Sequence, residues 1–261
     1  MGRGDDYRVI LGRLGYYSYQ EGIIFRHLAQ GNNWDTHLAN CRKFIMGAIE
    51  RFSPSRVTIL GSGWLLDLPL AEITAQGIEV FLVDIIHPPG VKEQTSAMPG
   101  VHLVESDITG GLVKQVYQKT RGYNAFRRMK NIDDIEVPVH RFDHDPGLVI
   151  SLNLLSQLDF LPVRQIRAKG YRDNHKIDSF RKTIQQKHLE MLAMHNSVLI
   201  TDYLEIFTDS AGLVTEEKTV LADIPEGFVR DEWTWDFDTK ATDYNLKSSV
   251  LKVIAVIPSW Q

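Results

Sequence analysis

The chain has 261 residues, of which 43% are hydrophobic and 24% charged, and its formal net charge is −4. This composition predicts a sizeable core in one large α/β domain or two small ones, and it excludes a chain that is disordered throughout. The longest basic cluster, Arg127, Arg128 and Lys130, is short, so neither a nucleic-acid partner nor a membrane partner is expected.

The first residues lack the apolar core of a secretory signal, and no apolar run approaches the ~18 residues that span a bilayer. With one cysteine, Cys41, no internal disulfide can form, which suits a reducing cytoplasm. Cys41 lies among Leu38, Phe44 and Ile45 at helical spacing. This spacing favours core packing over a thiol nucleophile, which would need an activating environment.

The first 52 residues have a helical pattern. Apolar residues recur every three or four positions from Asp5 to about Gln30 and from Asp35 to about Phe52, and Gly31 begins the break between these segments. Asp35 is a candidate N-cap for the second segment. We therefore expect residues 1–52 to form a helical cap or extension and residues 53–261 to form the main domain.

The rest of the chain alternates predicted strands and helices. The predicted strands are Arg56 to Leu60, "IEVFLVDI" from Ile78, "VHLVESDIT" from Val101, "GLVISL" from Gly147, "SVLITDYLEIF" from Ser197, "EWTWDF" from Glu232 and "SSVLKVIAVI" from Ser248. The predicted helices run from Asp67 to about Gln76, over "LVKQVYQKT" from Leu112, and from Asp178 to about His195, and the fourth strand turns into a further helix.

Strands separated by helices predict a parallel sheet covered on both faces. The last two strands follow one another with no helix between them, so we expect an antiparallel C-terminal hairpin at the edge. The predicted fold is an α/β, Rossmann-like three-layer sandwich with a mostly parallel seven-stranded sheet. Residues 122–146 carry many charges and few apolar side chains, which is typical of an insertion or a mobile loop.

Two glycines, Gly61 and Gly63, follow the first predicted strand. Such a loop lets backbone N–H groups and a helix N-terminus approach a polar ligand, but two glycines are equally compatible with a tight turn that binds nothing. The dinucleotide pattern G-x-G-x-x-G is incomplete, because Leu66 occupies the position of its third glycine.

Carboxylates end the next two predicted strands. Asp84 follows the glycines by roughly 20 residues, a spacing at which a carboxylate accepts ribose hydroxyl protons. Asp107 is placed to bind an adenine amino group, with Ile85 and Ile108 as apolar walls for the ring. Each aspartate is also compatible with a helix-cap or turn role. Their position at the carboxyl ends of consecutive strands favours a ligand site.

These segments resemble the class I S-adenosylmethionine-dependent methyltransferases over residues 34–257. The resemblance rests on "VTILGSG", "VFLVDI", "SDIT", "LVISLNLLSQL" and the terminal strand hairpin. It implies S-adenosylmethionine as cofactor, with the glycine loop at its methionine part, Asp84 at the ribose and Asp107 with Ile108 at the adenine. Residues 151–153 would then face the methyl group. Many members carry a small residue at the position of Leu65 and an acidic residue at that of Leu60. The implied cofactor-binding residues are Gly61, Ser62, Gly63, Trp64, Asp84, Ile85, Ser106, Asp107, Ile108 and Asn153.

Methyl transfer requires alignment of a nucleophile, exclusion of water and in some cases removal of a proton. Asn153 is a candidate for orienting a substrate amine or hydroxyl, and His37 is a candidate base. Asp202, near the end of the fifth strand, is a candidate base or, as its position favours, a turn cap. No metal is expected, because "HRFDHDPG" from His140 lacks a recognisable ligand spacing.

Substrate contacts are less specific in the sequence. Tyr17 and Tyr19 belong to an aromatic cluster that either closes over the cofactor or forms packing. Arg164 is a candidate for an anionic substrate group or part of a solvated surface, and His188 is a candidate substrate contact or, as its helical face favours, a core histidine.

Three functions remain open from the sequence. The first is a methyltransferase acting on a small molecule, and the second is a methyltransferase-like protein that binds the cofactor or a partner without catalysis. The third, a nicotinamide-dependent oxidoreductase, is disfavoured by the missing third glycine. Exposed aromatic residues also permit a homodimer.

Overall fold

The computed structural model describes residues 7–124, 126–242 and 246–260. In chain order its helices are α1 (Tyr7–Leu14), α2 (Tyr16–Gln30), α3 (Asp35–Phe52), α4 (Leu70–Ala75), α5 (Pro89–Thr95), α6 (Leu112–Thr120), α7 (Phe160–Ala168) and α8 (Asn174–Leu192). Its strands are β1 (Arg56–Leu60), β2 (Glu79–Asp84), β3 (Val101–Glu105), β4 (Leu148–Leu152), β5 (Ser197–Thr208), β6 (Val214–Lys218), β7 (Gly227–Asp238) and β8 (Ser248–Pro258). Short 3₁₀ turns cover Gly31–Trp34 and Leu155–Gln157.

One sheet unites these strands in the order β3-β2-β1-β4-β5-β8-β7. Strands β1 to β5 are mutually parallel, with Leu60 opposite Val83 on one side and Ser151 on the other. Strand β8 runs antiparallel to β5, and β7 antiparallel to β8. The predicted mostly parallel sheet with an antiparallel C-terminal hairpin is confirmed. Within the described residues an eighth strand, β6, also pairs with the far half of β5.

Two apolar clusters fill the space on either side of the sheet. One packs α3, α4 and α5 against side chains such as Ile59 and Leu82. The other packs α6, α7 and α8 against Leu60 and Val83, the residues that follow Ile59 and Leu82 in the sequence. Because successive strand residues point to opposite faces, the two clusters together show that helices cover both faces of the sheet. The fold is therefore a Rossmann-like three-layer α/β sandwich.

The N-terminal helices occupy two environments. Helix α3 belongs to a layer of the sandwich, where Ile45 and Ile49 are buried against the sheet. Helix α1 instead packs Ile10 and Leu14 against α6. Asp5, the predicted start of the first helix, lies outside the described residues. The division of the chain at residue 52 remains a prediction.

Several local predictions need correction. The helix expected from Asp67 begins at Leu70, because residues 61–69 form turns. Asp35 is the first residue of α3, and Trp34 occupies the N-cap position without a side-chain hydrogen bond to the helix N-terminus. The described residues of segment 122–146 form no helix or strand and are mostly exposed, but Met129, Ile132 and Ile135 are buried in the second cluster and hold the segment against it. No helix among the described residues has the length and apolarity to cross a membrane.

Candidate functional site

A cavity opens at the carboxyl ends of β1, β2, β3 and β4, where open α/β sheets bind ligands. Its empty volume is about 1090 Å³, including its mouth. Helices α2 and α3 also line it, through Tyr19, Gln20 and His37 among others. The topology therefore gathers four strand ends and the N-terminal helices around one space.

All the residues predicted to bind the cofactor line this cavity. They come from the glycine loop, from the ends of β2 and β3 and from the end of β4: Gly61, Ser62, Gly63, Trp64, Asp84, Ile85, Ser106, Asp107, Ile108 and Asn153. Their convergence follows from the parallel register, which places the strand ends at one edge.

The two glycines serve different purposes. Gly61 has φ +79°, and a Cβ there would lie 2.9 Å from the carbonyl oxygen of Leu152 and from Cβ of Leu154. Its missing side chain therefore makes room for β4 rather than for a ligand. Gly63 has φ +47°, and a Cβ there would meet only the carbonyl oxygen of Gly61, at 3.8 Å. The left-handed backbone is thus what favours glycine at position 63.

The amides of this loop are used within the protein. Gly61 and Ser62 donate their N–H groups to the carbonyl of Val83 at 2.9 and 3.4 Å, and Leu65 donates to Ser62. Gly63 donates to Oδ2 of Asp84 at 2.9 Å. Helix α4, the next helix in the chain, begins only at Leu70, so the loop does not lead directly into a helix N-terminus. These amides are not arranged as a phosphate cradle.

Asp84 is a buried lining residue that accepts several hydrogen bonds. Besides Gly63, it accepts the backbone N–H of Ile85 at 2.7 Å and Nε2 of Gln20 at 3.3 Å. Burial raises the pKa of its carboxyl, and these N–H groups oppose that shift by stabilising the charged form.

Asp107 also has local bonds. Its Oδ1 accepts the N–H and the hydroxyl of Thr109, and its Oδ2 accepts the N–H of Val113 at the start of α6. Asp107 therefore has the turn role that the sequence left open. It is half-buried and also lines the cavity.

A polar cluster lies where α3, β4 and the segment after the glycine loop meet. Nδ2 of Asn153 donates to Oδ2 of Asp67 at 2.7 Å and lies 3.1 Å from Nε2 of His37 and 3.8 Å from Sγ of Cys41. Asn153 has φ +48°, a strained value for a residue with a side chain. Burial raises the pKa of Asp67 and of Cys41, so the thiol stays protonated. Cys41 is buried as expected, within this polar cluster as well as the core.

The ring of His37 is held on the other side by β7. Nε1 of Trp233 lies 3.1 Å from Nδ1 of His37, and the ring stacks on Trp235 with centroids 3.7 Å apart and planes inclined by 5°. Burial lowers the pKa of His37 to about 3, so the imidazole is neutral.

A ligand would satisfy polar atoms that the protein leaves unpaired. Among the described residues, four buried polar atoms without a hydrogen-bond partner belong to side chains that line the cavity. They are Oε1 of Gln20, Oγ of Ser62, Oδ1 of Asn153 and Nε1 of Trp235. Unpaired buried polar groups are costly, and their concentration here is the expected mark of a polar ligand site.

Four predicted site residues lie away from the cavity lining. Tyr17 is exposed. Arg164 donates through Nη2 to the carbonyl of Leu14 at 2.8 Å, and so ties α7 to α1. Nε2 of His188 and Oγ of Ser151 form a buried hydrogen-bonded pair at 2.8 Å. His188 is therefore the core histidine that its position on the apolar face of the helix favours. Asp202 accepts the hydroxyl of Ser156 at 2.6 Å and so restrains the turn after β4.

Several lining residues were not predicted from the sequence, among them the polar or aromatic residues Gln20, Trp34 and Asp67. Gln20 and Trp34 come from the N-terminal helical region, and Asp67 was assigned to the start of a helix. A carboxylate that follows a glycine loop at the end of a strand was a usable indication for Asp67. No local pattern indicated Gln20, because the position of its side chain in the cavity depends on how α2 packs against the rest of the fold.

No protein-family model matches the chain, and neither does any curated protein. One solved structure is similar, the 1,6-didemethyltoxoflavin-N1-methyltransferase of Burkholderia thailandensis with bound 1,6-didemethyltoxoflavin and S-adenosylhomocysteine. The two chains are 13% identical, and the match covers 98% of this chain and 92% of that one with a TM-score of 0.40. Likeness at this level supports no conclusion about fold or function.

Proposed function

We propose that the chain binds S-adenosylmethionine in this cavity and is a class I methyltransferase that acts on a small molecule. The observation that carries the proposal is the meeting of the glycine loop, Asp84, the end of β3 and Asn153 around one cavity. Each comes from a different strand end, in the order in which such sheets bind an adenosyl ligand.

The loop chemistry supports an adenosyl ligand over a dinucleotide. A pyrophosphate needs free backbone N–H groups at a helix N-terminus. Here the amides of Gly61, Ser62 and Gly63 have protein partners. An acidic residue, Asp84, lies beside them, and a carboxylate favours hydroxyl and ammonium groups over phosphate.

In the bound state Asp84 would hold the ribose hydroxyls, and Gln20 would supply a second acceptor through its unpaired Oε1. Ile85 and Ile108 would flank the adenine, with Ser106 and Asp107 at its edge. When bound, S-adenosylmethionine supplies a methyl group on a sulfonium; the acceptor's lone pair forms the new bond to carbon, and the electrons of the broken C–S bond stay on sulfur. The chain's own task is to orient the acceptor, exclude water and take up any released proton.

Calorimetric titration of the whole chain with S-adenosylmethionine, S-adenosylhomocysteine and NAD tests the proposal. We expect micromolar dissociation constants for the first two and no measurable heat for NAD. Binding of NAD alone would overturn the proposal. Release of S-adenosylhomocysteine during incubation with a metabolite extract separates an enzyme from a protein that only binds the cofactor.

A further inference from the structure

The charged side chains that line the cavity, among the described residues, have one sign. Its described lining contains no lysine or arginine, whereas Asp67, Asp84 and Asp107 all line it. Arg42, whose charge reaches Asp67, donates to the carbonyl of Leu66 and is not part of the lining. An anionic ligand would therefore enter without a charged partner, at a large desolvation cost.

His37 does not supply a positive charge or a free base. A neutral imidazole has one lone pair, and an indole N–H can only donate. Nε1–H of Trp233 faces Nδ1 at 3.1 Å, and Nδ2 of Asn153, an amide nitrogen that can also only donate, faces Nε2 at 3.1 Å. Whichever ring nitrogen carries the lone pair therefore already has a protein donor opposite it. No lone pair of His37 is free to take a proton from a ligand.

The contact with Trp233 opposes a metal at this cluster. Ligand atoms of His37, Cys41 and Asp67 all lie within 4.8 Å of one another. A histidine that coordinates a metal normally donates its other ring N–H to an acceptor. A metal on Nε2 would leave Nδ1–H facing another donor, Nε1–H of Trp233.

The unsatisfied groups next to His37 are one acceptor and one donor, Oδ1 of Asn153 and Nε1 of Trp235. The Asp67 carboxylate receives a hydrogen bond from Asn153 on Oδ2. Flat aromatic side chains flank these groups, since Trp34 meets Trp235 edge to face with centroids 4.8 Å apart and both line the cavity. This compartment combines aromatic walls with acceptors that require a donor from a ligand and with one donor that requires an acceptor, as a heteroaromatic ring with an N–H and a ring nitrogen offers.

We propose that this compartment takes a planar, uncharged or cationic methyl acceptor whose N–H or O–H donates to Asp67, and that Asp67 rather than His37 takes the proton released on methylation. The inference rests on the proposed function for the methylation step only. The acceptor loses one N–H or O–H bond and gains a bond to carbon, and the proton moves to a carboxylate oxygen of Asp67. Trp233 acts through His37 as a positioning residue.

Binding of small aromatic probes tests the recognition. Dissociation constants from NMR titrations compare benzimidazole, 1-methylbenzimidazole, which lacks the N–H, and the anion benzoate. We expect benzimidazole to bind at least about fivefold more tightly than either of the others, since one hydrogen bond to a charged acceptor contributes roughly that much or more. The Asp67→Asn variant should lose this preference, and Asp223→Asn, whose carboxylate is exposed, should keep it.

Equal or absent binding of the three probes, or an unchanged preference in Asp67→Asn, would overturn the inference. The titrations are run with and without S-adenosylhomocysteine. A preference that appears without any binding of that nucleotide would sustain the recognition by Asp67 while removing the proposed function, so the two failures are distinguishable.

The ring nitrogens of His37 provide the second test. Spectra of chain labelled with ¹⁵N-histidine should show a neutral His37 ring that is unchanged between pH 8 and pH 5. In Trp233→Phe we expect the population of the Nδ1–H tautomer to rise, because Asn153 still faces Nε2 and no donor then faces Nδ1. A His37 ring that takes up a proton between pH 8 and pH 5 in the unmodified chain would return the role of base to His37 and overturn the inference.

Discussion

The backbone N–H of Gly63 donates a 2.9 Å hydrogen bond to Oδ2 of Asp84. This bond ties the loop after β1 to the end of β2, and the same carboxylate also accepts from Ile85. Loop position and carboxylate position are therefore set together. The ribose-binding residue of the proposed site is also the residue that orders the glycine loop beside it.

Replacing Asp84 by Asn should lower the affinity for S-adenosylhomocysteine by at least tenfold. The amide keeps the volume but has one acceptor oxygen where the carboxylate has two, so it cannot serve Gly63, Ile85 and a ribose at once. Calorimetry measures the change, and Asp236→Asn, on the exposed side of β7, is the matched control. Unchanged affinity in Asp84→Asn would remove the ribose assignment.

Gly61→Ala should destabilise the fold more than Gly77→Ala. Both glycines have similar positive φ, +79° and +73°, so the backbone strain of about 1 kcal/mol is common to the two variants. Only at Gly61 would the new Cβ press on Leu152 and Leu154, which adds about 1 to 3 kcal/mol. Urea denaturation measures both free energies of unfolding. Equal decreases in the free energy of unfolding would contradict the prediction and show that Leu152 and Leu154 move to accommodate the new Cβ.

The N-terminal helices should loosen locally when Trp64 is replaced by Phe. Nε1 of Trp64 donates to the carbonyl of Gln20 at 2.8 Å and so joins the glycine loop to α2. Loss of this bond, about 1 kcal/mol, should speed hydrogen exchange of the α2 amides. Trp260→Phe loses a comparable bond, to Oγ of Ser197 at 2.9 Å, and should leave α2 exchange unchanged. Equal exchange in the two variants would contradict the prediction.

Because of His188, the free energy of unfolding should fall as the pH is lowered into the mildly acidic range. Burial is the main cause that lowers its pKa to about 3, whereas an unfolded histidine titrates near 6.5. Below pH 6.5 the unfolded chain binds a proton that the folded chain does not, so the free energy of unfolding falls as the pH falls. From pH 7.5 to 5.5 this group contributes a loss of about 1.4 kcal/mol. In urea titrations His188→Asn should show a drop smaller by that amount, and an identical drop would refute this assignment.

The sheet was predictable because its signals are local. Strands β1 to β5 are apolar or alternating runs separated by helical segments, and β1 and α3 have the predicted bounds. Parallel strands bring their carboxyl ends to one edge, so Asp84, Asp107 and Asn153 could be placed in one region without knowing a single contact. The short strand β6 and helix α5 were missed, since five and seven residues carry too little periodicity.

Side-chain roles were less predictable. Asp67 looked like a helix start, but the turns of residues 61–69 delay α4 to Leu70 and leave the carboxylate in the cavity. Arg164 looked available for an anionic substrate, yet packing of α7 on α1 engages it with Leu14. Such pairings depend on which elements pack together, and a linear pattern does not contain that information.

The amino-acid sequence by itself determined the α/β sandwich and the strand ends that surround the cavity, because hydrophobic periodicity and turn residues act over a few neighbouring positions. Only the tertiary structure decided the chemistry of the acceptor compartment. His37 and Trp233 are 196 residues apart, and the indole N–H faces Nδ1 of His37 only once β7 lies against α3. An imidazole has two nitrogens and one lone pair, so its role is set by the partner that packing brings to it.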